Sequence, residues 1–349
     1  MLYKTFIRPL LFRFDPEKVH YFVSSSLQII FRIPGMAALA RNLTEVKDVR
    51  LEREVFGLKF KNPVGIAAGF DKNARLFDAL GNLSFGFVEV GTITPKGQPG
   101  NEKPRLFRLP ADGGLINRMG FNNDGLGAAV SRLKKHRKPD IIIGGNLGKN
   151  TLTPNARAAD DYVRLFEGLF DVVDYFVVNV SCPNISDLRE LQDKETLREI
   201  LGRLQTLNRK KLHPKPVLLK VSPDLNESQL DEVIQLVAET GIAGVVAVNT
   251  TVSRNQLKTP EGRVRRIGRG GLSGKPLQNR ALEIVRYLSE KSGRAFPIIG
   301  VGGIFTAEDA WQMLEAGADL VQVYTGFVYE GPFIAKRINK VVLKKLSVK

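Results

Sequence analysis

The sequence predicts an α/β fold, a (β/α)8 TIM barrel with a small N-terminal helical extension. Three observations predict it. From about residue 60 onward, short apolar runs rich in Val, Ile and Phe recur eight times, each ending on Gly or a small polar residue. The runs are apolar on both faces, as parallel strands buried on two sides must be, and helical stretches separate them. An early GxGxxG turn, which would favour a doubly wound open sheet, is missing.

Taken in order, residues 1–45 read as a separate amphipathic helical unit. Asp15 and Pro16 suit the cap and first position of a helix. Val19, Phe22, Val23, Leu27 and Ile30 then fall on one helical face. That face either packs on the barrel or also offers apolar surface to a membrane, and the pattern leaves both open. Pro9 shortens or kinks the segment before it. Residues 46–349 form the barrel domain. Within it "LEREVFGLKFKN" (51–62) reads as a hairpin that turns at Gly57 and plugs the barrel floor. The eight runs are "PVGIAAGF" (63–70), "FGFVEVGT" (85–92), "IIIGGNLG" (141–148), "YFVVNVSC" (175–182), "PVLLKVSP" (216–223), "GVVAVNTT" (244–251), "PIIGVGG" (297–303) and "LVQVYTGF" (320–327). "KPRLFRLPADGGLINRMGFNN" (103–123) is a long excursion between the second and third runs, and loops of that length are usually functional. "NESQLDEVIQLVAETG" has an Asn cap and a closing Gly, and "TAEDAWQMLEAGA" has a Thr cap with acids in its first turn. "LQNRALEIVRYLSEKSG" follows the same pattern. Trp311 reads as packing.

Composition excludes several function classes. With 43% hydrophobic and 25% charged residues in 349, the chain has ample core. A single Cys excludes an internal disulfide. The histidines (His20, His136, His213) are too scattered for a Cys/His zinc cluster. The net charge of +16 suits nucleic acid, a membrane surface or an anionic ligand without choosing among them, and most of it reads as a solvated face. No apolar run approaches the ~20 residues that span a bilayer, and the N-terminus lacks a secretory cleavage site.

In such barrels chemistry sits at the C-terminal strand ends. Those ends carry Lys72, Thr92, Asn146, Asn179 with Cys182 and Asn184, Lys220, Asn249 with Thr250, Gly302 with Gly303, and Tyr324 with Thr325. The nearest acids, Asp71 and Glu89, cannot hold a divalent metal, and no carboxylate pair is present for glycoside hydrolysis. Gly-rich turns at the seventh and eighth ends suit a phosphate. Lys220 stands on an apolar strand, so it needs a partner: either an anionic cofactor edge, such as a reduced flavin, or a structural ion pair. The clustered Asn residues match a flat ligand with amide edges, such as a pyrimidine. Cys182 is either a small buried hydrophobe or, at the barrel mouth, a general base with an ordinary thiol pKa near ~8.5.

At these residues the chain resembles the dihydroorotate dehydrogenases. The shared motifs are "AAGFDKN" (67–73), "VGTITPKGQPGNEKPRLFRL" (90–109), "INRMGFNN" (116–123), "GGNLGKN" (144–150), "NVSCPN" (179–184), "LKVSPD" (219–224), "VNTT" (248–251), "GGLSGKPL" (270–277), "IIGVGGI" (298–304) and "LVQVYTGFVYEGP" (320–332). The extension with "DPEKVH" resembles the membrane-associated, quinone-reducing class 2 branch.

The resemblance implies FMN across the barrel mouth, touched by Ala68, Gly69, Thr92, Asn146, Asn179 and Lys220, with its phosphate at Gly274, Gly303, Tyr324 and Thr325. It implies dihydroorotate stacked on the flavin, its carboxylate on Lys72. Asn117, Arg118, Met119, Gly120 and Phe121 would close round the substrate, and Asn117, Asn179, Asn184, Asn249 and Thr250 would read its amide edges. His20 and Arg108 would line a quinone tunnel under the N-terminal helices. Cys182 would take the C5 proton while hydride leaves C6, and orotate would feed pyrimidine synthesis. The branch implies a monomer, without nucleic acid or metal, peripheral on the cytoplasmic face of a bacterial inner membrane. Two departures are visible. Cys182 stands where class 2 relatives usually place Ser, as in soluble class 1 enzymes, and Val248 stands where they often place Thr. The alternatives are class 1-like oxidation with a soluble acceptor, a flavin reductase acting on tRNA uridines, and a basic membrane-surface scaffold on a degenerate barrel.

Overall fold

The computed structural model describes residues 2–136, 141–180 and 194–347. Eight parallel strands close into a barrel: β1 (Val64–Asp71), β2 (Phe87–Ile93), β3 (Ile142–Leu147), β4 (Tyr175–Val178), β5 (Val217–Val221), β6 (Gly244–Ala247), β7 (Ile298–Val301) and β8 (Leu320–Val323). Each strand pairs with its sequence neighbours, and β8 closes on β1 through Val321↔Val64 and Val323↔Ile66. Every predicted run holds one strand; β1 and β2 extend one residue past their runs, and the other six strands stop short of the run ends. The last run breaks at Val323, and a helix over Thr325–Glu330 begins at once.

The barrel interior is built in layers, because side chains two residues apart on a strand share a face. The lower layer is apolar, with Phe87, Tyr175, Leu218, Val246, Ile299 and Leu320 packed together. The predicted hairpin, Arg53–Val55 against Leu58–Phe60, inserts Val55 and Phe60 into this layer. The Phe60 ring meets Phe87 edge-on at 5.3 Å between centroids. One step up the strands the chemistry changes: Glu89, Asn146, Lys220 and Gln322, two residues beyond Phe87, Gly144, Leu218 and Leu320, form a buried polar layer.

The excursion is folded rather than loose. Leu106–Leu109 and Gly114–Asn117 form a hairpin, and Gly114–Asn117 also pairs with Gly271–Gly274. Asn226 and Thr306 cap their helices in reciprocal boxes with Gln229 and Asp309, as the sequence predicts. The helix over Gln278–Lys291 departs from expectation. It has neither a side-chain cap nor an acid in its first turn, and a 3-10 turn over Lys275–Leu277 leads into it instead.

The N-terminal segment contains α1 (Pro16–Ile30) and α2 (Met36–Thr44), with Asp15 Oδ1 accepting from the Lys18 N–H as cap. Pro9 does not shorten the preceding segment, which runs directly into a helix over Arg8–Leu11; its irregularity is a π-helical turn over Tyr3–Ile7 just ahead of the proline. The α1 face is divided. Val19, Val23 and Leu27 are half-buried, while Phe22 is 65% exposed. Of the seventeen large apolar side chains exposed among the described residues, twelve lie in residues 1–45. The docking is polar at its centre. Glu17 is buried and accepts from Arg105 at 2.8 and 3.1 Å, and Arg105 also donates to Pro99 O and Asn101 O just ahead of the excursion.

Burial raises the Glu17 pKa, but the bonds and charge of Arg105 outweigh it and hold the carboxyl below its ordinary 4.5. The stabilisation is therefore complete above pH 4.5 and is lost as pH falls through the lowered value. Removing one partner of a buried pair costs about 3–5 kcal/mol. Arg105→Ala is expected to free residues 1–45 for limited proteolysis while the barrel melts as before. Protection equal to wild type would show that the pair does not hold the unit.

Candidate active site

The polar layer is the floor of a cavity at the C-terminal mouth, with about 990 Å³ of empty space including its opening. Lys220 reaches this floor from β5, only 5% exposed. Its ammonium lies 3.6 Å from Glu89 Oε1. Of the two partners that the sequence allows for Lys220, the structure supplies the ion pair. Glu89 also accepts from Asn146 Nδ2 at 2.6 Å and Gln322 Nε2 at 2.7 Å.

Above the floor the amides join in a chain. Thr92 Oγ1 donates to Asn146 Oδ1 at 2.5 Å, and Asn179 Nδ2 donates to Thr92 Oγ1 at 3.0 Å and to Asn146 Oδ1 at 3.3 Å. Asn249 Nδ2 donates to Asn179 Oδ1 at 3.2 Å. On the opposite rim Lys72 Nζ donates to Asn122 Oδ1 at 2.5 Å, where the excursion returns to the barrel. Two carboxylates hold the rim loops, Asp71 buried and Asp224 exposed. Asp71 accepts from the N–H groups of Arg75, Leu76 and Phe77, and Asp224 accepts from Val252 N and Thr251 Oγ1.

The glycine side of the mouth presents backbone. Gly274 has φ +101°, and an added Cβ would lie 2.3 Å from Gly113 O; at Gly303 it would lie 2.3 Å from Gln278 Cβ. Beside them Ser273 Oγ and Thr325 Oγ1 are 2.8 Å apart. Tyr324 closes this side, its OH donating to Gly69 O at 3.4 Å. Burial pushes the phenol up to about 12, so it remains a protonated donor.

The structure brings together most of the residues singled out from sequence. Ala68, Gly69, Lys72, Thr92, Asn117, Met119, Gly120, Phe121, Asn179, Lys220, Asn249, Thr250, Gly274, Gly303, Tyr324 and Thr325 all line the cavity. Asn146 does not. It is fully buried behind Thr92 and Asn179. Arg118 also faces away, donating to Ile267 O and Pro104 O with its guanidinium over the Phe107 ring. Cys182 and Asn184 lie outside the described residues. Sequence reasoning missed Ser273, Gln322 and the role of Glu89. Val248 lines the cavity with an apolar side chain in place of a hydroxyl.

His20 and Arg108 stand off the cavity. His20 meets Phe70 edge-on at 5.1 Å, and Phe70 meets Tyr324 at 5.6 Å, so two aromatic contacts connect α1 to the mouth. Burial and the positive charge of Lys72 lower the His20 pKa to about 4, and its ring is neutral near pH 7. Arg108 is buried over the Phe12 ring and donates to Phe14 O at 2.7 Å, tying the excursion to the N-terminal helices.

The donor set fits a flat, polyanionic redox cofactor. One ammonium lies at the floor, amides on one wall, and bare backbone with two hydroxyls on the other. Among the described residues no group of acidic, Cys and His side chains could hold a metal ion.

The sequence profile of the dihydroorotate dehydrogenase family matches residues 50–346. A protein of Christiangramia forsetii named dihydroorotate dehydrogenase (quinone) is 59% identical over 344 residues, covering 99% of each chain. A Roseiflexus protein of the same name is 47% identical, covering 97% of this chain and 93% of its own. Among solved structures, ligand-free DHODH from Eimeria tenella superposes with a TM-score of 0.86 at 34% identity and 96% coverage of both chains. DHODH in complex with ferulenol from the same organism gives 0.83, covering 96% of this chain and 92% of its own.

Proposed function

The chain belongs to the dihydroorotate dehydrogenase family, and from that premise we infer how its cavity serves the reaction. The protein is an oxidoreductase that converts dihydroorotate to orotate in pyrimidine biosynthesis and passes the electrons to a quinone. The family is flavin-dependent, and we assign FMN to the mouth cavity. The observation that carries the assignment is the pairing of a floor ammonium, Lys220, with a wall of bare glycine backbone across one cavity.

Thr92, Asn179 and Lys220 would hold the ring edge of the cofactor, and Gly274, Gly303, Ser273 and Thr325 its phosphate. Bound FMN supplies the hydride-accepting ring. Lys72 binds the substrate carboxylate at the rim, and Asn117, Asn249 and Thr250 read the amide edges of the pyrimidine. Cys182 accepts the C5 proton as general base, a role that suits a thiol of ordinary acidity near ~8.5. Lys220 keeps positive charge beneath the place where negative charge develops. Asn146 acts from behind, by holding Thr92 and Asn179.

Residues 1–45 would serve the quinone half-reaction, with His20 and Arg108 beside the acceptor's path. What supports this is the run of aromatic contacts from His20 to Tyr324. The exposed apolar side chains of the unit would lie on a membrane surface. Among the described residues no helix is long and apolar enough to cross a membrane. We place the protein as a monomer on the cytoplasmic face of a bacterial inner membrane.

Anaerobic addition of dihydroorotate to the FMN-loaded protein is expected to bleach the flavin. Quinone should then restore the colour, and fumarate or NAD should not. A flavin that stays oxidised would overturn the assignment. Gly274→Ala is expected to weaken FMN retention about tenfold, because a side chain at that φ costs on the order of 1–3 kcal/mol and meets Gly113 O. Flavin lost on gel filtration with unaltered circular dichroism is the signature; full retention would remove Gly274 from the phosphate site.

A further inference from the structure

Among the described acids Glu89 is the most deeply buried, and the reaction does not use it. It sits in the barrel core, fully buried, yet a buried ion pair adds little stability compared with apolar residues of similar volume. The apolar layer directly below shows that this barrel packs well without charge. The directions of its hydrogen bonds supply another reason for its presence.

A carboxylate is an acceptor only. Asn146 must therefore turn its nitrogen to Glu89, which leaves Asn146 Oδ1 facing the mouth. That oxygen accepts from Thr92 Oγ1 and Asn179 Nδ2, so Asn179 in turn must point its oxygen outward, where Asn249 Nδ2 donates to it. Three successive amides thus direct nitrogen towards Glu89 and oxygen away from it. An amide has no intrinsic preference between these two senses. The carboxylate at the inner end imposes one, and the Lys220 ammonium is anchored to the same oxygen that receives Asn146.

We propose that Glu89 is a positioning residue for the dehydrogenation: its carboxylate sets the donor–acceptor sense of the Asn146–Asn179–Asn249 chain and tethers Lys220 at the cavity floor. The proposal rests on FMN and dihydroorotate occupying this cavity. Glu89 touches neither. It acts through the amides that read the pyrimidine and through the ammonium that faces the flavin. Gln322, which donates to the other Glu89 oxygen, keeps that oxygen from competing for the amide chain.

The test is Glu89→Gln in the full-length, FMN-loaded protein. It removes one negative charge while keeping the shape. The floor then keeps the Lys220 charge without the Glu89 carboxylate beside it, so reduced flavin should be held at least tenfold more tightly relative to oxidised flavin. This is read as a rise of about 30 mV in the two-electron midpoint potential. With the amide sense no longer imposed, orotate affinity should fall about tenfold in a direct titration. A midpoint potential that is unmoved or lowered overturns the proposal, whatever the activity. If Glu89→Gln does not fold, Glu89→Asp serves, because it keeps the charge and draws the carboxylate back by one methylene. Orotate bound at least threefold more weakly at unchanged potential supports the proposal, and wild-type orotate affinity overturns it. The potential is measured by chemical reduction without dihydroorotate, so an error in the substrate leaves that reading intact. A wild-type protein that takes up no FMN would instead overturn the functional assignment.

Discussion

Lys220→Met is expected to slow flavin reduction by dihydroorotate about 10²–10³-fold, the usual loss when one preorganised electrostatic contact is deleted. Stability should fall too. Lys220 and Glu89 share the buried layer at 3.6 Å, and methionine would leave the carboxylate without its ion-pair partner in the barrel core. Breaking such a pair from one side costs about 3–5 kcal/mol. The two effects can be separated. In Lys220→Met/Glu89→Gln no charge is stranded, so stability should return close to wild type while the rate stays low. Stopped-flow reduction and urea unfolding of the same preparations give both numbers. Single-variant reduction at the wild-type rate would remove Lys220 from the chemistry, and a rate restored in the double variant would show that the loss was one of folding alone.

Cys182→Ala is expected to have an effect of similar or greater size, about 10²–10⁴-fold on flavin reduction, because a general base contributes on that scale. The protein should stay yellow and bind orotate normally, since alanine removes only the proton acceptor. Cys182→Ser should keep measurable activity with its pH optimum moved upward, a hydroxyl being the weaker acid. Unchanged reduction in the alanine variant, or a downward move in the serine variant, contradicts the proton transfer.

The architecture was legible because each strand buried on both faces leaves a continuous apolar run, and the hairpin declared itself through Gly57, whose φ is +73°. The helix over Gln278–Lys291 is legible too, but its start is not, because a 3-10 turn rather than a capping side chain leads into it. The site was legible where run ends coincide with the mouth, as at Lys72, Thr92 and Asn249. It failed one step below. Asn146 stands at the end of its run but on the buried layer, since strand stagger decides which run end reaches the surface. Arg118 failed for a local reason: Asn117 and Met119 turn inward and the residue between them turns out. The partnership of Lys220 with Glu89 joins β5 to β2 across the closed barrel, and nothing in a linear pattern brings those two strands face to face. Alternation along "FVEVG" did carry a trace of it, placing Glu89 on the same inward face as Phe87.

The unequal anchoring of the two parts of the chain has a practical result. The barrel is sealed below by an apolar plug and hydrogen-bonded above it, whereas the first 45 residues are held on the outside by scattered polar and ring contacts and leave twelve large apolar side chains uncovered. Warming should peel away that cover before the catalytic shell gives way. Calorimetry would then show a small early endotherm ahead of the main one, and material heated between them would still be bleached by its substrate while having lost the means to discharge to a lipid-borne oxidant.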